Sequence, residues 1–150
     1  MLVLISFSTR QALHLLADVL DPLLALLALL HPAMRPPLGD RRTLRLYFLA
    51  AALGLAGVYA VAGADSAFSI WDRFGLNYST HTAFAVSLAL SIGLARPRWG
   101  WALGMGIIAY SILIVLLGFH GPADVMTSGL VAALVTVPWQ LTTARTSSRR

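Results

Sequence analysis

The chain has no cysteine, no lysine and no glutamate. Without cysteine there is no disulfide framework, no thiolate zinc site and no cysteine nucleophile, and the redox compartment leaves no trace. Charge of either sign is scarce: 11% of residues are charged and 58% are hydrophobic, with a mean hydropathy of +0.77. A soluble domain carries about 25% charged residues, and so few charges could not cover a water-facing surface for 150 residues. All eleven basic residues are arginine and all six acids are aspartate, for a net charge of +5. A basic balance suits nucleic acid when it clusters on a solvated face. Here the charges punctuate apolar runs, so a membrane is the expected partner and nucleic acid is not. The length bounds the chain to one domain, residues 1–150.

What is there is a series of apolar runs, at about Ala12–Leu30, Leu44–Ala64, Ser79–Ala95, Gly100–Gly118 and Pro122–Leu141. Each is near the roughly 20 residues a helix needs to cross hydrocarbon. The expected fold is therefore an all-α polytopic transmembrane bundle of about five spans. Met1–Ser8 lacks a basic n-region and a clear cleavage site, so no signal peptide is expected. The polar end, Thr142–Arg150, reads as a frayed cytoplasmic tail.

Arginine placement predicts orientation. Arg35, Arg41, Arg42 and Arg45 fall between the first two runs, Arg96 and Arg98 between the third and fourth, and Arg145, Arg149 and Arg150 after the fifth. The positive-inside rule makes that shared side cytoplasmic, with the N-terminus outside. Trp71 then falls at the outer interface, and Trp99, Trp101 and Trp139 at the inner one, as an aromatic belt requires. A prokaryotic cytoplasmic membrane is the expected setting, given the small size and the Arg, Ala and Leu usage.

The first run is the least regular. Arg10, His14, Asp18 and Asp21 lie on one helical face, and Pro22 predicts a kink or a restart with Asp21 as N-cap. Two readings stay open: an interfacial amphipathic helix up to about Leu20 followed by a short helix, or a span whose polar stripe faces the bundle.

Two segments carry the chemistry, and the predicted topology puts both on the outer side. Asn77-Tyr78-Ser79-Thr80-His81-Thr82 opens the third run; Phe119-His120-Gly121-Pro122-Ala123-Asp124 links the fourth and fifth. One helix down and one up returns His120 to the depth of His81. Ser79 or Thr80 can N-cap the third helix, and Pro122 suits N1 of the fifth, which puts Asp124 near N3. Two helix N-termini facing one pocket favour an anion, phosphate above all. Asp124, four residues after His120, is within reach of one ring nitrogen, where it would fix the tautomer and raise the basicity of the other. His120 is thus the candidate nucleophile and His81 the candidate acid and base. No cofactor is expected. A His/His/Asp metal site lacks an evident fourth ligand, and a Ser79 nucleophile lacks a Gly-x-Ser-x-Gly setting. An ordinary interfacial histidine is the plain alternative for either ring taken alone.

These residues resemble the type 2 phosphatidic acid phosphatase (PAP2) superfamily of lipid phosphatases and phosphotransferases. Ser79, His81 and Thr82 match its Pro-Ser-Gly-His-Thr motif, and His120, Pro122, Asp124 and Val125 match His-Tyr-Pro-Ser-Asp-Val. The resemblance covers about Asp72 to Gly129. The chain departs from it at the first motif, which needs lysine, at the motif arginine, which falls on Ile114, and at the glycine, which is Thr80. The missing cations imply either a substituted clamp, with Arg73 or Arg10 as candidates, or a less charged diester substrate. The latter looks like the sphingomyelin synthase-related head-group transferases, although the aspartate of that branch falls on Gly75, with Asp72 the nearest acid.

The resemblance implies a membrane-embedded enzyme that cleaves or transfers a lipid phosphate or phospho-head group at the outer face. His120 would form a phospho-histidine, Asp124 would stabilise its imidazolium and His81 would protonate the leaving oxygen. Ser79, Thr80, Tyr78, Arg73 and Arg10 are the candidate substrate contacts, with Ser79 on a phosphoryl oxygen. Phospholipids, polyprenyl phosphates and ceramide-type acceptors all remain open as substrates. The competing expectation is a non-catalytic lipid- or ion-binding protein on the same scaffold.

Overall fold

The computed structural model describes residues 7–30, 41–95 and 97–148, excepting the side chains of 7–14, 16–18, 97 and 144–148. Five helices follow one another: α1 (Phe7–Leu30), α2 (Arg41–Phe68), α3 (Thr80–Ala95), α4 (Pro97–Leu116) and α5 (Pro122–Ser148), with a 3-10 turn at Asp72–Phe74. There is no strand among the described residues. The all-α expectation holds.

Three helical stretches are long and apolar enough to cross a membrane: Arg41–Phe68, Arg98–Leu116 and Pro122–Thr143. They mark an integral membrane protein. Val19–Leu30 and α3 are apolar but shorter. At 1.5 Å per residue, the 16 residues of α3 extend about 24 Å, less than the roughly 30 Å of hydrocarbon.

Helix α3 lies at the centre of the bundle. It packs against all four other helices, and each of the three apolar clusters includes at least one of its residues: Ala85, Ala83, or Leu88 with Ile92. Its composition suits that place, since Ala83, Ala85, Ser87, Ala89 and Ser91 are small and buried and let neighbouring backbones approach. Gly93 faces Gly100 of α4 so closely that an added Cβ would lie 3.1 Å from the Gly100 Cα.

A polar seam fixes α3 to α5. Ser79 N donates to Ser128 Oγ at 2.7 Å, Thr136 Oγ1 to Ser87 Oγ at 2.9 Å, and Gln140 Nε2 to Ser91 Oγ at 2.8 Å. Each pair is 49 residues apart, so the two helices run parallel, and the fully buried Ala83 and Ala132 fill the remaining rung. Steps of four keep these residues on one face of each helix. The seam brings the starts of α3 and α5 together. In the same way His81 meets Asp21 across 60 residues, and Ala28 packs with Leu88, so the second half of α1 runs parallel to α3.

Four expectations need correction. Helix α1 runs through Pro22 without restarting, and Asp21 is no N-cap; its carboxylate reaches across to α3 and α4 instead. A proline within a packed helix is tolerated where neighbours satisfy the freed backbone groups. Trp71 is not a belt residue: it is buried, stacks edge-on against Tyr78 with centroids 4.8 Å apart, and donates its indole N–H to Thr127 Oγ1 at 3.0 Å. Trp99, Trp101 and Trp139 are exposed. The polar tail continues α5 as far as Ser148 rather than fraying from Thr142. The side chains of Arg10, His14, Asp18 and Arg145, and all of Arg35, Arg96, Arg149 and Arg150, lie outside the described residues.

Candidate active site

The start of α3 is built by Ser79. Its Oγ accepts from Thr82 N at 3.4 Å and bonds Thr82 Oγ1 at 2.9 Å, while Ala83 N donates to its carbonyl. Ser79 is therefore the N-cap and Thr80 the first helical residue. His81 follows in the first turn, with its side chain 55% exposed. Ser79 itself is fully buried, so its hydroxyl is committed to the helix start.

The start of α5 is built by Asp124. One carboxylate oxygen accepts from Gly121 N at 2.8 Å, the backward half of a capping box. The other accepts from Asn77 N at 2.8 Å, across 47 residues. A single side chain thus ties the segment before α3 to the segment before α5. Pro122 at the first helical position and Asp124 two residues later fall where the sequence predicts.

His120 is placed by the end of α4. Gly118 adopts φ +76°, its N–H bonds the Val115 carbonyl at 3.0 Å, and Phe119 N bonds the Ile114 carbonyl at 3.2 Å. This is a Schellman stop, which needs a left-handed residue and so favours glycine. The chain reverses there and sets His120 one residue before the Gly121 cap.

The expected His120–Asp124 hydrogen bond is absent. Nδ1 of His120 lies 3.9 Å from Asp124 Oδ2, an ion-pair distance, and is buried with no hydrogen-bond partner. The carboxylate is drawn instead to two backbone donors. Burial holds the His120 imidazole below the usual histidine range; Asp124 pulls it back up, and the charge of His81 pushes it down further.

The tight histidine–carboxylate contact is elsewhere. His81 Nδ1 lies 2.6 Å from Asp21 Oδ2, and Tyr110 of α4 donates its hydroxyl to Asp21 Oδ1 at 3.3 Å. Reading the sequence by its motifs missed this pairing and Tyr110's part in it. The available signal was an acid in an apolar run, which in a membrane bundle needs a partner.

Of the candidate substrate contacts, Tyr78 is buried, and its hydroxyl donates to the Val58 carbonyl at 3.3 Å. Burial first, and Asp65 second, push its phenol up to about 12, so it serves as a neutral donor. Arg73 is exposed on the 3-10 turn of the α2–α3 connection, at the same end of the bundle as His81. Thr80 is half-buried beside His81. Arg10 lies in α1, without a described side chain. Among the described residues, no three histidine or aspartate side chains form a group that could hold a metal ion.

Comparison with protein-family models, with curated proteins and with solved structures gives no match.

Proposed function

We propose that this chain is a membrane-embedded lipid phosphatase or phosphotransferase working through a phospho-histidine. The observation that carries the reading is the pair of histidines at the end where α3 and α5 begin, each within ion-pair distance of its own aspartate. The first-turn amides of the two helices supply the anion-binding surface. With Ser79 bound into its helix, those amides, Thr80 and the Arg73 guanidinium are, among the described residues, the groups left to grip a phosphoryl oxygen.

In this reading the neutral His120, with Nδ1–H toward Asp124, attacks phosphorus through Nε2. The bond from phosphorus to the leaving lipid oxygen breaks with its electron pair on that oxygen, which takes a proton from His81. In the second half His81 removes a proton from water or a lipid hydroxyl as that oxygen attacks phosphorus. The phosphorus–nitrogen bond then breaks and returns its pair to His120. Burial that keeps His120 neutral favours the nucleophilic form. Asp124 stabilises the imidazolium that develops.

The site is assigned to the outer face of a prokaryotic cytoplasmic membrane, crossed by all five helices, with lateral entry for a lipid whose head group lies in that interface. The scarcity of cations favours a singly charged diester over a monoester dianion. One pair of observations favours the competing reading, a non-catalytic lipid- or ion-binding scaffold: His120 Nδ1 is unbonded, and Ser79 and Tyr78 are committed to the fold. Turnover of a panel of phosphate-bearing lipids by the purified protein decides between them. The enzyme reading expects activity in the wild type and its loss in His120→Ala and His81→Ala; three proteins with equal rates contradict it.

A further inference from the structure

Resting on that reading, we infer that Asp21 is the positioning residue of His81, so that α1 belongs to the catalytic machinery as more than a packing helix. An ionised carboxylate can only accept hydrogen bonds. With Asp21 ionised, the His81 nitrogen 2.6 Å from its Oδ2 is Nδ1–H. The tautomer is fixed, and Nε2, on the far edge of the ring, is left to give and take the transferred proton.

The arrangement around Asp21 is built to hold that direction. Its second oxygen accepts from Tyr110 of α4, so the carboxylate is held from two helices while His81 approaches from a third. Leu20 and Leu24 flank it and pack on the cluster of Ala85, Tyr110, Ile114 and Val125. The Asp21 side chain is 17% exposed, whereas that of His81 is 55% exposed.

The exposure separates what each partner gains: Asp21, an acid in an apolar run, gains the partner it needs, and the half-exposed His81 gains an orientation. A half-exposed histidine needs no carboxylate to be accommodated, and ion pairs open to solvent contribute little to stability. What the contact does accomplish is to orient a ring that would otherwise rotate freely. The division of labour is then complete. Asp124 serves the His120 end and the backbone around it, and Asp21 serves His81.

The test uses the full chain, 15N-labelled at histidine, in detergent micelles. In the wild type the His81 ring should show the Nδ1–H tautomer, and in Asp21→Asn that preference should be lost. Lipid phospho-transfer by Asp21→Asn should fall on the order of 10²- to 10⁴-fold in kcat, the range of general acid–base catalysis, with KM little changed. Asp21→Glu should restore part of the rate. Should Asp21→Asn fail to fold, Tyr110→Phe keeps the carboxylate but releases one anchor, and should loosen the tautomer and lower kcat less than tenfold. A His81 tautomer unaltered in whichever of the two variants folds overturns the inference, whatever the activity. A wild type that fixes His81 through Asp21 but turns over no lipid overturns the enzymatic reading alone.

Discussion

At the residue scale, removal from water is the largest influence on His120 and lowers its basicity; the nearby Asp124 carboxylate opposes that lowering and His81 adds to it. The basicity of His120 is lowered relative to the unfolded chain, so the neutral form persists to lower pH in the folded protein. The acidic limb of a transfer-rate profile governed by His120 should accordingly fall below the ordinary histidine value of 6.5. The same sign applies to stability: the unfolded chain takes up the proton first, so the contribution of neutral His120 is present above 6.5 and is lost as pH falls below it. A pH–rate profile in mixed micelles checks the first claim, and an acidic limb above 6.5 would contradict it. Asp124 has a second duty, because it accepts from both Asn77 N and Gly121 N. Asp124→Ala leaves two part-buried backbone donors and should lower stability by about 1–3 kcal/mol, read as an earlier unfolding midpoint in detergent. Wild-type stability in that variant would mean that water replaces both bonds.

At the scale of elements, α3 was the easiest helix to find and the hardest to understand from the sequence. Its apolar run was plain, its cap could be narrowed to Ser79 or Thr80, and the start of α5 could be placed at Pro122, because these are matters of local backbone chemistry. Its place at the centre was legible only afterwards, in Ser87 and Ser91 facing Thr136 and Gln140 at a constant register. A serine in an apolar helix does not say which neighbour it will meet. Asp21 was misread for the same reason: Pro22 suggested a local job as N-cap, and the partners that claimed the carboxylate are 60 and 89 residues away. Asp124 failed in the opposite direction. Its i+4 spacing to His120 was local and correct, but backbone donors competed for the carboxylate and left the ring at 3.9 Å. The close approach of α3 and α4 gives a sharp element-level expectation. Gly93→Ala drives a Cβ to 3.1 Å from backbone of α4 and should destabilise by about 1–3 kcal/mol. Gly104→Ala meets open space and should be neutral or slightly stabilising, given the helix preference of alanine. Equal midpoints for the two variants would show that the Gly93–Gly100 contact yields easily.

At the scale of the whole molecule, the scarcity of charge that announced a membrane protein also dictates what the bundle can do. A chain this apolar can hold polar groups only where they satisfy one another. Among the described residues, the buried polar ones gather in the α3–α5 seam and at the end where those two helices begin. The topology proposal can be tested on the native background, since the chain has no cysteine to remove. Single cysteines at the exposed positions Phe74 and Arg98 should label with a membrane-impermeant maleimide from opposite sides of intact cells or vesicles. Labelling of both from one side would contradict the crossing of α3. In the proposed reaction, phosphorus passes through His120. Incubation of the purified protein with 32P-labelled phospholipid, followed by an alkaline quench and peptide mapping, should give an acid-labile label on His120 that is absent from His120→Ala; label on Ser79 instead, or no label alongside measurable turnover, would contradict it.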